Sequence, residues 1–163
     1  MLRSIYPAAI AMAIALPFAQ SGAQAPAAAA DTMKEIRGSA VAYAPVDVPG
    51  FTKGMQLGVL NGDPSKPAPY TVRLKFPAGY AFPAHFHPNA ENVTVVSGRF
   101  LLGMGDRVNQ SALKSYAPGD FLSIPARHPH FGRVEGETVI QLHGIGPFEI
   151  MLAQPAAGGG TRE

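Results

Sequence analysis

At 163 residues the chain has room for one domain, and 47% hydrophobic against 15% charged residues excludes the polar, highly charged composition of a disordered chain. The net charge is only +2 and the 13 basic residues are scattered without a run, which excludes an electrostatic footprint for nucleic acid. There is no cysteine, so disulfides, thiol chemistry and thiolate metal ligands are excluded, and any metal site must use nitrogen and oxygen.

The N-terminus carries the pattern of a secretory signal. Residues 1–3 supply a positive start, residues 5–18 are almost wholly apolar, and Ser21 and Ala23 are small residues placed for cleavage after Ala23. The apolar run of about 14 residues is shorter than the roughly 20 needed to span a bilayer as a helix, so the expectation is export to the periplasm with no stable membrane anchor after cleavage. Residues 1–23 are therefore read as a signal peptide and 24–32 as a flexible lead-in. Residues 33–153 are read as the folded domain and the Gly-rich 154–163 as a disordered tail.

Within the domain, 16 prolines and 18 glycines in the whole chain favour short strands and turns over long helices. Met55, Leu57 and Val59 alternate before the turn cluster Asn61-Gly62-Asp63-Pro64, and Val72, Leu74 and Phe76 alternate after it, which predicts two half-buried strands. Residues 92–96 and 100–104 flank Ser97-Gly98. Residues 121–124 follow Pro118-Gly119-Asp120, and 138–143 follow Glu135-Gly136-Glu137, so strands recur at short intervals. That spacing predicts an all-β sandwich or barrel and argues against parallel βαβ units.

The five histidines stand at 85, 87, 128, 130 and 143. Successive strand side chains point to opposite faces, so the i, i+2 pair His85 and His87 projects to one side, where two imidazoles can share one ion. Glu91 has the same parity and returns a carboxylate to that point, while His128 or His130 closes the site from the other end of the barrel. Three imidazoles and a carboxylate suit one divalent transition metal, whether iron, manganese, nickel, copper or zinc, and leave coordination positions for a small-molecule substrate.

These residues also resemble the cupin superfamily. Its first motif, Gly, five residues, His, one, His, three or four, Glu, six, Gly, is met by Gly79, His85, His87, Glu91 and Gly98. Its second is met by Gly119, Pro125 and His130, with 20 residues between the motifs. Arg127 stands where the family has Gly, and Val134 where it has Asn. The resemblance spans 69–149 and implies a double-stranded β-helix, or jelly roll, with the metal inside the barrel. It picks His130 over His128 as the fourth ligand. Because Gly is used where φ must be positive, a side chain at Arg127 costs about 1 kcal/mol or more if the family's turn is kept. The stretches 100–106 and 136–149 resemble small bacterial cupins of no settled activity, from which no substrate carries over.

Gln141 and His143 share parity on the late strand. If Ile140 and Leu142 pack outward, both polar groups, like His128, lie near the ion or its substrate; the alternative is a solvated strand face. Tyr80 and Phe82 are candidates for the wall of an apolar pocket or for plain core. The leading functional expectation is an exported, metal-dependent enzyme with dioxygenase-like chemistry on a small organic molecule, ahead of isomerisation or decarboxylation. Glu91 then moves a proton during the reaction. The alternative is a non-catalytic periplasmic module that binds a small ligand or metal, and a third reading, a structural interaction protein, leaves the ligand set without a purpose. Exposed strand edges make a homodimer an expectation as well.

Overall fold

The computed structural model describes residues 32–153. The expected signal peptide at 1–23 and tail at 154–163 lie outside the described residues, as does most of the expected lead-in. By compactness the chain divides into Met1–Lys34 and Glu35–Glu163; of the first, only residues 32–34 are described, and they have no regular structure.

The second unit is built of strands: β1 (Ala44–Pro45), β2 (Gln56–Asn61), β3 (Pro69–Phe76), β4 (Ala81–Phe86), β5 (Glu91–Met104), β6 (Lys114–Tyr116), β7 (Phe121–Ile124), β8 (His130–Ile145) and β9 (Met151–Leu152). Apart from two short 3-10 turns at Gly38–Ala40 and Gln110–Ala112, no helix occurs among the described residues, and none is long and apolar enough to cross a membrane.

All pairings are antiparallel, and two long strands organise them. The later half of β8 pairs with β3, the first half pairs with β4, and β5 runs beside β8 along nearly its whole length. On its far edge β5 takes β7 near its start and β6 near its end. The sheet therefore folds over into two layers, β1-β2-β3-β8-β5-β7 and β9-β4-β8-β5-β6, that share β5 and β8 at the fold line. This is the jelly roll that the motifs implied.

Expected and observed strands agree in type but differ at the corners. Ser97-Gly98 and Glu135-Gly136-Glu137 read as turns between separate strands, whereas β5 and β8 pass straight through them, bending from one layer to the other. The β5–β8 register shifts on both sides of Ser97, as expected of bulges that bend a strand without ending its pairing. Gly98 is needed there: its φ is 79°, and a Cβ at this position would collide with Thr138 Oγ1 and the Glu137 carbonyl.

Alternation on β3 buries Tyr70, Val72, Leu74 and Phe76 and leaves Thr71, Arg73 and Lys75 half-buried on the outer face. The inward residues meet Val93, Val95, Ile140 and Leu142 from the neighbouring strands. Val59, expected on a half-buried strand, is 44% exposed because β2 lies near the sheet edge, covered beyond it only by the two-residue β1. Val134, the departure from the family's Asn, is 1% exposed in the core, where an apolar side chain needs no hydrogen-bond partner.

Replacing Gly98 by Ala is expected to lower unfolding free energy by at least about 2 kcal/mol, combining a left-handed backbone with overpacking at the corner. Urea denaturation checks this; an unchanged midpoint would mean that the corner does not depend on glycine.

Candidate metal centre

The site lies between the two layers at one end of the barrel. His85 is on β4, directly across from His130, the first residue of β8; His87 follows β4 immediately, and Glu91 opens β5. All four are buried, with 5%, 5%, 7% and 2% exposure for His85, His87, Glu91 and His130. The i, i+2 reasoning and the motif thus bring these four side chains to one place. His85, His87 and His130 each offer a ligand nitrogen, and the three nitrogens lie within 4.8 Å of one another. These three histidines could hold a metal ion.

Hydrogen bonds decide which nitrogen faces inward. His85 Nδ1 pairs with the Pro83 carbonyl at 2.9 Å, His87 Nδ1 with the Glu149 carbonyl at 2.6 Å, and His130 Nδ1 with the His128 carbonyl at 3.1 Å. A carbonyl only accepts, so each Nδ1 carries the proton and donates, and each neutral ring keeps an unprotonated Nε2. Three backbone carbonyls thereby fix the tautomer and orientation of three imidazoles, the arrangement metal-bound histidines commonly show.

His87 Nε2 is buried without a hydrogen-bond partner. Glu91 Oε2 stands 3.5 Å from both His87 Nε2 and His130 Nε2. Two ligand atoms each about 2.1 Å from one ion are separated by about 3.0 to 3.4 Å, close to that spacing. Leaving a buried polar atom unpaired costs about 1 to 3 kcal/mol, so the donor set fits a bound cation better than it fits a packed core.

Aromatic rings hold the ligands in place. His85 lies between the edges of Phe51 and Phe82, at 5.0 and 5.5 Å between centroids, and His87 stacks on Phe148 at 4.9 Å. Phe82 walls the cavity together with Phe76, Phe100, Leu102 and Ile140, whereas Tyr80 is core at 2% exposure. The free space in this cavity is about 30 Å³.

This apolar wall sets the protonation states of the metal-free protein. Burial is the main cause that pushes His85 down to about 3 and His130 down to about 4; it also lowers His87. The same burial raises the Glu91 carboxyl to about 8. All four groups are then neutral near pH 7, ready to exchange one proton for a cation.

Residues 72–145 match the family model of the cupin domain. These residues form a cupin domain. No curated protein sequence gives a significant match. Solved structures share the fold. The polyketide cyclase RemF from Streptomyces resistomycificus matches at 21% identity and TM-score 0.63, over 77% of this chain and 89% of its own. A cupin 2 conserved barrel domain protein from Rhodopseudomonas palustris matches at 19% and 0.56, over 72% and 79%. A protein from Methylibium petroleiphilum PM1, proposed as an acetylacetone dioxygenase, matches at 15% and 0.58, over 76% and 83%.

Three further expected residues lie away from this cupin's cavity. His128 is exposed, with Nδ1 on the Ala126 carbonyl at 3.0 Å; its contribution to the centre is its backbone carbonyl, which orients His130. On β8 it is Ile140 and Leu142 that point into the barrel, so Gln141 and His143 take the opposite, outer face. There Gln141 accepts from Arg73 Nε at 3.2 Å and His143 stacks with Phe121. Phe51, Phe148 and the Glu149 carbonyl are parts of the site that sequence reasoning did not single out; a backbone acceptor leaves no residue signal, and a lone Phe in a loop leaves a weak one.

Arg127 keeps the family's turn despite its side chain. Its φ is 61°, and its N–H donates to the His87 carbonyl at 2.8 Å, tying the turn before His130 to the first ligand pair. Arg127→Gly is expected to stabilise the protein by about 1 kcal/mol by relieving a left-handed conformation, measured by urea denaturation. No gain would mean the turn carries no strain.

Glu91 gives a pH-dependence whose sign is definite. Its folded pKa, about 8, lies above the ordinary 4.5, so its stabilisation is complete below pH 4.5 and is lost as pH rises through 8. The buried histidines, lowered from 6.5, give the opposite slope: they cost stability as pH falls through 6.5 and regain it as pH rises. Between pH 6.5 and 8 in chelator the protein should therefore lose about 1 to 2 kcal/mol of stability relative to the Glu91→Gln variant, in which the histidine slope stands alone, as read by thermal denaturation. A loss that survives the substitution would locate the titration elsewhere.

Proposed function

We propose that the chain is an exported, metal-dependent cupin enzyme that acts on a small organic molecule, with dioxygenase-like oxidative chemistry ahead of isomerisation or decarboxylation. The observation that carries this reading is the convergence of three histidine nitrogens, with the Glu91 carboxyl 3.5 Å from two of them, in an apolar cavity with no further polar side chain in its lining. Four protein ligands leave open positions on an ion that accepts six, and His128, which as a fifth ligand would have filled one, lies outside.

A bound transition metal would orient the substrate and supply either dioxygen activation or polarisation of a carbonyl. His85, His87 and His130 hold that ion through rings whose rotation the three carbonyls prevent. Glu91 Oε2, set 3.5 Å from two of the histidine nitrogens, would leave the ion to take or return a proton on the substrate. The phenylalanine and aliphatic walls keep bulk water from competing for the open positions. The N-terminal apolar segment supports export to the periplasm.

Elemental analysis of protein purified from its own periplasm should find one transition-metal ion per chain, and His85→Ala or His130→Ala should weaken metal binding at least about 100-fold, beyond what loss of an outer-sphere contact causes. Oxygen uptake on candidate substrates should follow metal content. Bound zinc with no oxygen consumption would set aside dioxygenase chemistry, and an ion with no turnover of any substrate would favour the non-catalytic binding module.

A further inference from the structure

The cavity has two kinds of wall. Leu74 and Phe76 on β3, Phe82 on β4, Phe100 on β5 and Ile140 on β8 stand on paired strands. Phe51, Phe148 and Ile150 instead come from irregular segments, residues 49–55 and 146–150, and are half-buried. Beyond them lies an open groove bordered by Val46, Val48, Leu57 and Pro64, and Phe148 and Ile150 face both spaces. Phe148 and Ile150 stand between the metal centre and that groove.

The free space of about 30 Å³ holds a water or two, so an organic molecule enters only if a wall moves. Strand walls are held by ladders of backbone hydrogen bonds; the irregular segments are the cheaper ones to displace. The backbone of the later segment is itself anchored, with Gly146 N–H on the Ala68 carbonyl at 3.0 Å, Phe148 N–H on the Pro64 carbonyl at 2.7 Å and Ala153 N–H on the Ala84 carbonyl at 2.9 Å. Movement therefore falls on the Phe148 ring, which rests on His87 at 4.9 Å and on Tyr70 at 5.8 Å.

The geometry points to Phe148 as the residue that admits substrate to the centre and sets its size limit, an inference that rests on the reading of the histidines as a metal site. The lining also defines the substrate's chemistry. Beyond Glu91 and the three histidines it offers no polar side chain, so a second charge or a row of hydroxyls would be buried without a partner. The site takes a compact, largely apolar molecule whose oxygen donors are gathered at one end, where the ion sits.

The test uses the cobalt(II)-loaded protein and its visible absorption, titrated with acetohydroxamate, benzohydroxamate and 4-carboxybenzohydroxamate. Phe148→Ala should tighten benzohydroxamate about tenfold or more relative to acetohydroxamate, and Phe148→Leu, which keeps apolar packing if the alanine variant fails to fold, should do so about threefold. In either folded variant the carboxylated probe should bind at least about tenfold more weakly than benzohydroxamate. A chelator should also strip cobalt faster from the variants than from the parent. Equal shifts for both small probes, with cobalt uptake intact, would overturn the gate, and equal affinity for charged and uncharged probes would overturn the substrate class. A parent protein that takes up no cobalt would overturn the metal reading beneath both.

Discussion

Three imidazoles and a carboxyl share a space from which water is largely excluded, and the physics of that burial governs the whole molecule. Isolated ionised groups cannot persist there, so in the absence of a cation burial drives each of the four toward its neutral form. Neutral imidazoles with Nδ1 committed to carbonyls present Nε2 lone pairs, and that of His87 is buried without a hydrogen-bond partner. A divalent ion would remove both costs together, accepting the lone pairs and letting Glu91 ionise. Metal binding, protonation and stability are in this way one linked equilibrium.

The architecture exists to bring those groups together from distant parts of the chain. His130 and Glu91 lie at the start of the two long strands that the layers share, and His85 pairs across from His130 within one layer. Long strands that turn a corner at Gly98 put the ends of β5 and β8 on a common rigid frame. The Arg127 turn and the Glu149 carbonyl then connect the three ligand-bearing stretches through the backbone of His87 and its Nδ1. Loss of order in residues 146–150 would therefore be felt at His87.

Much of this is legible in the amino-acid sequence. The i, i+2 spacing of His85 and His87 is informative because strand periodicity is 2, and two motifs with fixed spacing placed Glu91 and His130 beside them. Turn residues marked the strands on either side of each corner, but a glycine that bends a strand and one that reverses it look alike, so β5 and β8 read as pairs of shorter strands. The orientation of 139–143 was open for a related reason: on a strand whose apolar residues Ile140 and Leu142 alternate with polar ones, only a partner layer says which face is inside. Arg127 gave no hint that it would accept a φ of 61°, because the cost is small against the turn's role in seating His130.

The central claim is that three histidine nitrogens and one carboxylate oxygen meet at a single ion. X-ray absorption spectroscopy on the metal-loaded protein tests it directly. The account predicts a first shell containing three imidazoles and an oxygen donor from Glu91 at about 2.0 to 2.2 Å, with the oxygen contribution reduced in Glu91→Gln. A shell with fewer than three imidazoles, or one unchanged by that substitution, would contradict it.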